Sequence, residues 1–199
     1  TLRDIRQYRN IALFLAAYWL YIDGVHTLIL MATDFGARLE FARNDLIAAI
    51  LITNFVGAPA TIAFGLMGER IGPKRAIIIG IFVYLLIAAW GLTLKEVWQF
   101  YAMAIGIGLV QGGVQSMSRS MFARLIPEEK ASEFFGFYST LGKFAAILGP
   151  LLIGILSRVS DDPRIAVVAV LPLFIGGLLL LVRVSDTPET VTPATANAE

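Results

Sequence analysis

The sequence has no cysteine and a single histidine, His26, and only 16% of its 199 residues are charged. The absence of cysteine excludes disulfides and thiolate metal sites, and one histidine cannot form a zinc-binding cluster. A soluble domain carries about 25% charged residues. The shortage of charge, with 57% hydrophobic residues and a mean hydropathy of +0.75, therefore indicates a membrane protein. A net charge of +1 argues against a nucleic-acid partner, and we expect no metal or other cofactor.

Six apolar runs have the length of a membrane span, which is about 20 helical residues for a hydrocarbon core of about 30 Å. Four runs without Asp, Glu, Lys, Arg or His are 46–68, 76–94, 97–118 and 165–182. Two more, about 10–33 and 132–157, are interrupted by Asp23 with His26 and by Lys143, respectively. The predicted fold class is an all-α membrane protein with six transmembrane helices in residues 1–184. The polar, proline-containing tail 185–199 is expected to be disordered.

Basic residues outside the runs predict the orientation of the chain. With a cytoplasmic N-terminus, ten Lys and Arg residues fall on the cytoplasmic side and five on the other, which favours cytoplasmic termini. Polar and small residues follow one helix face in the first, second, fourth and fifth runs and nearly vanish from the third and sixth. This pattern predicts two three-helix repeats in which every third helix faces lipid. Since the chain begins at Thr1, we expect it to be part of a longer protein.

Polar residues inside the runs are the candidates for a functional site. Asp23 and His26 share a helix face, and an acid at the bilayer centre costs about 2.5–3.5 kcal/mol. Gln111 and Gln115 lie one turn apart in the fourth run, and Lys143 lies at a depth similar to that of Asp23. In one interpretation these five residues bind a substrate or coupling ion. In another, Asp23 is structural, either paired with Lys143 or capping a kink. An intramembrane enzyme using Asp23 and His26 would lack a nucleophile, a metal set and a nucleotide loop, so we expect no enzyme.

A short loop joins the second and third runs, with the sequence GLMGERIGPKR at 65–75. An acid at the membrane exit, a glycine turn and a basic cluster are consistent with a simple orientation anchor. The stretch also resembles the signature loop of the major facilitator superfamily, with Glu69 in place of the commoner aspartate and Pro73 in place of a basic residue. The resemblance implies a conformational latch. Its residues would be Gly65, Gly68, Glu69, Arg70, Gly72, Lys74 and Arg75.

Three other segments carry recognisable motifs. They are Tyr-x-Asp-Gly-x-x-Thr at 21–27, Ser-Arg-Ser at 118–120, and Phe-Gly-x-Tyr at 135–138 followed by Gly-Pro at 149–150. These motifs resemble the C-terminal half of one branch of that superfamily, the bacterial and vacuolar effluxers related to autophagy-linked vacuolar amino-acid exporters. The resemblance implies the C-terminal six-helix half of a twelve-helix transporter whose cavity is lined by the first and fourth helices of each half. Arg119 is then either a headgroup anchor or a gate that pairs with Glu133 or with an acid of the other half.

The function implied is secondary active transport of a small polar solute, such as an amino acid, by alternating access. The expected partners are the solute, protons, the lipid bilayer and an N-terminal six-helix half, and the expected location is the bacterial inner membrane, as a multi-pass protein. The alternative is a half-sized membrane scaffold or receptor that transports nothing.

Overall fold

The structure, a computed structural model, describes residues 9–38, 40–156, 158 and 165–185. These residues form seven α-helices and one 3-10 turn, and they contain no strand. The helices are α1 (Arg9–Arg38), α2 (Arg43–Ile71), α3 (Pro73–Gly91), α4 (Val97–Leu125), α5 (Ala131–Phe144), α6 (Leu148–Leu156) and α7 (Ile165–Arg183). The 3-10 turn, Glu128–Lys130, leads into α5.

The predicted all-α fold class is confirmed by these helices. Among the described residues, five segments are long and apolar enough to cross a membrane, and α5 and α6 together make up the fifth. The sixth predicted span corresponds to α7, whose described apolar stretch Val168–Arg183 is shorter. Three helices continue well past their predicted ends, α1 to Arg38, α2 to Ile71 and α4 to Leu125. The tail beyond Ser185 and the basic residues of 1–8 lie outside the described residues.

The α2 and α4 helices pack closely because glycine removes side chains from their interface. Gly108 and Gly112 lie one turn apart on α4, against Thr53 and Thr61 of α2. A Cβ added to Gly108 would stand 2.6 Å from the carbonyl oxygen of Thr53. The Thr53 hydroxyl donates a hydrogen bond across the interface to the carbonyl oxygen of Ala104 at 3.1 Å. Small residues in this register are typical of helices that pack backbone to backbone in membranes.

Two other helix pairs make extensive contacts, α1 with α7 and α3 with α4. Gly177 on α7 lies against α1, where an added Cβ would stand 3.0 Å from the backbone nitrogen of Tyr21. The α1–α7 pair joins the first and sixth spans, and the α3–α4 pair joins the third and fourth. If spans one to three correspond in order to spans four to six, each of these pairs corresponds to the other. The packing is therefore compatible with two three-helix repeats, which stay a prediction.

Three distant parts of the chain meet at one end of the helix bundle. The Asn10 side chain donates to the carbonyl oxygen of Ser185 at 2.9 Å and accepts from its backbone N–H at 2.7 Å. Lys74, just after the turn between α2 and α3, donates to the carbonyl oxygens of Val184 and Val182 at 2.6 and 3.2 Å. The start of α1, this turn and the end of α7 therefore lie on one side of the membrane. Which side is cytoplasmic stays a prediction.

Candidate functional site

The fifth span is interrupted between α5 and α6. Three residues separate Phe144, the last of α5, from Leu148, the first of α6. Within this break Ala146 has a φ of 140°, a value rare for any residue other than glycine. A backbone group that lacks a partner costs several kcal/mol in hydrocarbon. The break therefore requires hydrogen-bond partners from other parts of the protein.

Asp23 provides the acceptors for the start of α6. One oxygen of its carboxylate accepts from the backbone N–H groups of Leu148 at 2.9 Å and Ile147 at 3.3 Å. The other accepts from the N–H of Gly149 at 2.9 Å and from the hydroxyl of Thr27 at 3.2 Å. A helix begins with four N–H groups that have no partner in the helix, and the fourth position here is Pro150, which has no N–H to satisfy.

The carboxylate thus satisfies every N–H donor at the start of α6. A negative charge at a helix N-terminus also interacts favourably with the helix dipole. Of the two structural interpretations of Asp23, the structure forms the capped kink. Across the part of the chain that it describes, no ion pair joins Asp23 to Lys143.

The carbonyl groups at the end of α5 contact the same face of α1. His26 Nδ1 lies 3.0 Å from the carbonyl oxygen of Ala145, and Trp19 Nε1 donates to that of Phe144 at 3.5 Å. A carbonyl oxygen only accepts, so Nδ1 carries a proton, and in the neutral ring Nε2 is the free acceptor. Trp19, Asp23 and His26 are three or four positions apart and share one helix face. One stripe of α1 therefore donates to carbonyl groups at the end of α5 and accepts from the N–H groups at the start of α6.

A groove of about 950 Å³ opens beside the break, between α1, α4 and α5. Arg119, Lys143, His26 and Gln115 line it, and no Asp or Glu is among its lining residues. The side chains of Arg119 and Lys143 are exposed, and neither forms an ion pair with any residue that the structure describes. The groove is therefore electropositive and rich in hydrogen-bond donors.

Aromatic residues form part of the groove wall. Tyr18 of α1 and Tyr138 of α5 line the groove and stack on each other, with ring centroids 4.2 Å apart. Phe122 of α4 stacks on Tyr138 in turn, at 4.8 Å. These contacts join α5 to its two neighbours along the groove.

The five residues predicted to bind a substrate or coupling ion are divided among three environments. His26, Gln115 and Lys143 line the groove, as does the gate candidate Arg119. Gln111 lines a separate, mostly apolar cavity of about 110 Å³ between α1, α2 and α4. Asp23 has an exposure of 0% and is not among the groove-lining residues. Its role in coupling stays a prediction.

The seven predicted latch residues lie on both sides of the turn between α2 and α3. Gly65, Gly68, Glu69 and Arg70 belong to the last turns of α2, Gly72 joins the helices, and Lys74 and Arg75 belong to the first turn of α3. Gly72 has φ 88° and ψ 151°, a conformation close to one that is essentially restricted to glycine. Glu69 is exposed and forms no ion pair with the residues described here. The latch role stays a prediction.

A buried contact between α1 and α4 was not predicted from the sequence. Tyr21 and Ser118 both have an exposure of 0%, and their side-chain oxygens are 2.6 Å apart. Ser118 donates its own proton to the carbonyl oxygen of Val114 at 2.6 Å, so Tyr21 is the donor to Ser118. Both residues stand in the motifs that carry the effluxer resemblance, and Ser118 also belongs to the polar face of the fourth run.

Comparison with known proteins covers almost the whole chain. Residues 1–190 match the family model described as "Vacuole effluxer Atg22 like". A Bacillus subtilis protein, named as an uncharacterized MFS-type transporter, YxiO, is 38% identical over 190 residues, which cover 96% of this chain and 44% of that protein. Autophagy-related protein 22 of Yarrowia lipolytica is 30% identical over 196 residues, which cover 92% of this chain and 33% of the relative.

The chain thus spans less than half the length of these curated relatives. The bacterial relative is named as an MFS-type transporter, a class of membrane protein. The helices of this chain that are long enough to span a membrane agree with that class. The predicted resemblance is confirmed. The chain belongs to the Atg22-like vacuole effluxer family, within the major facilitator superfamily.

Proposed function

We propose that the protein containing this chain is a secondary active transporter that moves a small polar solute, such as an amino acid, by alternating access. The observation that carries the proposal is the electropositive groove between helices that are long enough to span a membrane. Polar and ionisable residues within transmembrane segments usually mark the path of a substrate or ion, because burying them without a function is costly. The name of the Bacillus relative, an MFS-type transporter, supports the same class of activity.

Within this proposal, the groove residues His26, Gln115 and Lys143 contact the solute. Arg119 lines the same groove and serves as its gate. Asp23 acts through the break, because its carboxylate fixes the position of α6 and leaves no acceptor oxygen facing the groove without a partner. The turn between α2 and α3 is the latch, at the end of the bundle where α1 starts and α7 ends.

The rest of the transporter provides the opposite wall of the groove. The Bacillus relative is more than twice as long as the part that this chain matches, which leaves room for an N-terminal six-helix half. The groove and much of α2 are exposed in this chain, as expected of surfaces that meet such a half. The proposed location is a bacterial inner membrane, and protons are the proposed coupling ion.

Solute counterflow in proteoliposomes tests the proposal. The natural full-length protein is reconstituted in vesicles loaded with one unlabelled amino acid after another, and uptake of the same labelled compound is followed. We expect accumulation of at least one solute, reduced by Lys143→Gln and unchanged by Lys95→Gln, which removes an exposed cation at a loop outside the groove. A protein that exchanges no solute in this assay would be a scaffold or receptor.

A further inference from the structure

We infer that the groove binds its solute by an anionic group, a carboxylate held between Arg119 and Lys143. This inference rests on the proposed function and names the chemical class of the solute at the same site. Two cations project into one groove from different helices, α4 and α5, and the lining contains no Asp or Glu. A bound carboxylate would supply the missing negative charge.

The depth of Lys143 makes an uncompensated charge costly. Lys143 lies in the last turn of α5, directly before the break in the middle of the fifth span. A lysine at the centre of a span costs about 2.5–3.5 kcal/mol even on lenient scales, and cations at this depth pair with a partner or face water. Arg119 adds a planar guanidinium, whose paired N–H groups match the two oxygens of a carboxylate.

The acids of the described residues do not neutralise this pair. Asp23, although close in sequence to His26 of the groove, directs both oxygens at the N–H groups of α6 and at Thr27. Glu133 is on α5 but lies ten positions before Lys143, which is about 15 Å along the helix axis, and it does not line the groove. The countercharge must therefore come from the solute or from another part of the protein.

The groove also presents acceptors for the rest of the solute. His26 lines the groove and has Nδ1 engaged by the carbonyl oxygen of Ala145, so the ring nitrogen left for a solute is Nε2. Ser116 donates its hydroxyl proton to the carbonyl oxygen of Gly113 at 3.0 Å and keeps its lone pairs for a donor. A small acid that also carries an N–H or O–H group fits this arrangement of charges and acceptors.

Three probes with one skeleton and different charges test the inference. They are N-acetyl-L-alanine, an anion; L-alanine, a zwitterion; and L-alaninamide, a cation when its amine is protonated. Binding to the natural full-length protein in lipid nanodiscs is measured by titration calorimetry at a pH where that amine is charged. We expect the two carboxylates to bind at least about tenfold more tightly than L-alaninamide, the difference that one charge-assisted hydrogen bond supplies.

Substitutions of single cations assign the binding to the groove. Arg119→Gln and Lys143→Gln should each weaken carboxylate binding by about 10- to 100-fold, and Lys143→Arg should restore most of it. Arg124→Gln, on the same helix as Arg119 but outside the groove, and Lys95→Gln are matched controls and should change nothing. If the groove variants bind as tightly as the controls, the inference is overturned.

Other outcomes separate this inference from the proposed function. Tighter binding of L-alaninamide would overturn the inference and would mean that an acid from the rest of the protein neutralises the two cations. Failure of all three probes to bind would also overturn it, since a groove of about 950 Å³ admits each of them. Carboxylate binding without counterflow of any solute would refute the transport function alone. Counterflow of cationic solutes only would refute the carboxylate site alone.

Discussion

Removing the Asp23 carboxylate should uncouple α6 from α1 and destabilise the protein. Asp23→Ala leaves the N–H groups of Leu148 and Gly149, each bonded at 2.9 Å, without an acceptor inside the membrane. Each buried donor that loses its partner costs about 1–3 kcal/mol, so the free energy of unfolding should fall by about 2–6 kcal/mol. The longer bond from Ile147 and the bond from Thr27 are not counted in this figure.

Asp23→Asn should have about half of this effect, because the amide keeps one acceptor oxygen and loses the other. Whichever oxygen is lost, one of the two bonds at 2.9 Å goes with it. The expected cost is about 1–3 kcal/mol. A transport role that requires the negative charge would instead make Asn as harmful as Ala to concentrative transport, whatever its stability. Comparing stability with transport for the same variants thus separates the cap from a coupling site.

The assay measures unfolding of the purified protein in mixed detergent micelles. Helix content is monitored by circular dichroism while the fraction of denaturing detergent is increased. Asn54→Ala is the matched control, because the exposed Asn54 side chain donates only to the carbonyl oxygen of Ile50 in its own helix. Hydrogen exchange of the amides at 147–149 provides a local measurement and should accelerate in both Asp23 variants. If Asp23→Ala is no less stable than the control and its amides stay protected, the cap does not hold the break together.

Four other substitutions test individual features by the same unfolding measurement. Ala146→Gly should raise the free energy of unfolding by about 1 kcal/mol, because glycine adopts a positive φ without strain. If Ala146→Val were more stable than the unmodified protein, the backbone at this position would not be strained. Gly72→Ala should lower stability by about 1–3 kcal/mol; an unchanged value would mean that the turn readily adopts another conformation. Gly112→Val should lower the free energy of unfolding by about 1–3 kcal/mol, because the new side chain meets Thr61 across the α2–α4 interface. Gly65→Val is its control, because the space around Gly65 is open. Lys74→Met should cost about 1 kcal/mol and accelerate amide exchange at the end of α7, and protection equal to that of the unmodified protein would refute the capping contact.

The helices were predictable because a membrane leaves the backbone few choices. A chain inside hydrocarbon must satisfy its own N–H and C=O groups, so a long apolar run becomes a helix wherever it lies in the fold. The ends were less predictable, and α1 and α4 both continue past charged residues that mark the limit of an apolar run. Charge defines where a helix leaves the lipid and does not define where its hydrogen bonds stop.

The break in the fifth span illustrates what periodicity cannot supply. Its two determinants, Asp23 and Pro150, were visible in the sequence, but they are 127 positions apart, and nothing in helical spacing connects an acid in one span with a helix start in another. Gln111 and Gln115 show a second limit. They share one side of α4, yet they line different cavities, because α4 lies between α2 and α5 and neighbouring turns of the helix meet different partners.

The break divides one membrane span into two helical arms, α5 and α6, that are held to their neighbours by different contacts. The α6 arm, of 9 residues, is fixed to α1 by the carboxylate and packs on α7. The α5 arm, of 14 residues, is about 21 Å long and forms one wall of the groove, where Tyr138 stacks on Tyr18 of α1 and Phe122 of α4. A rotation of this arm by about 10° about Ala146 would displace its far end by about 4 Å. Such a rotation would widen or narrow one end of the groove while α6 keeps its position.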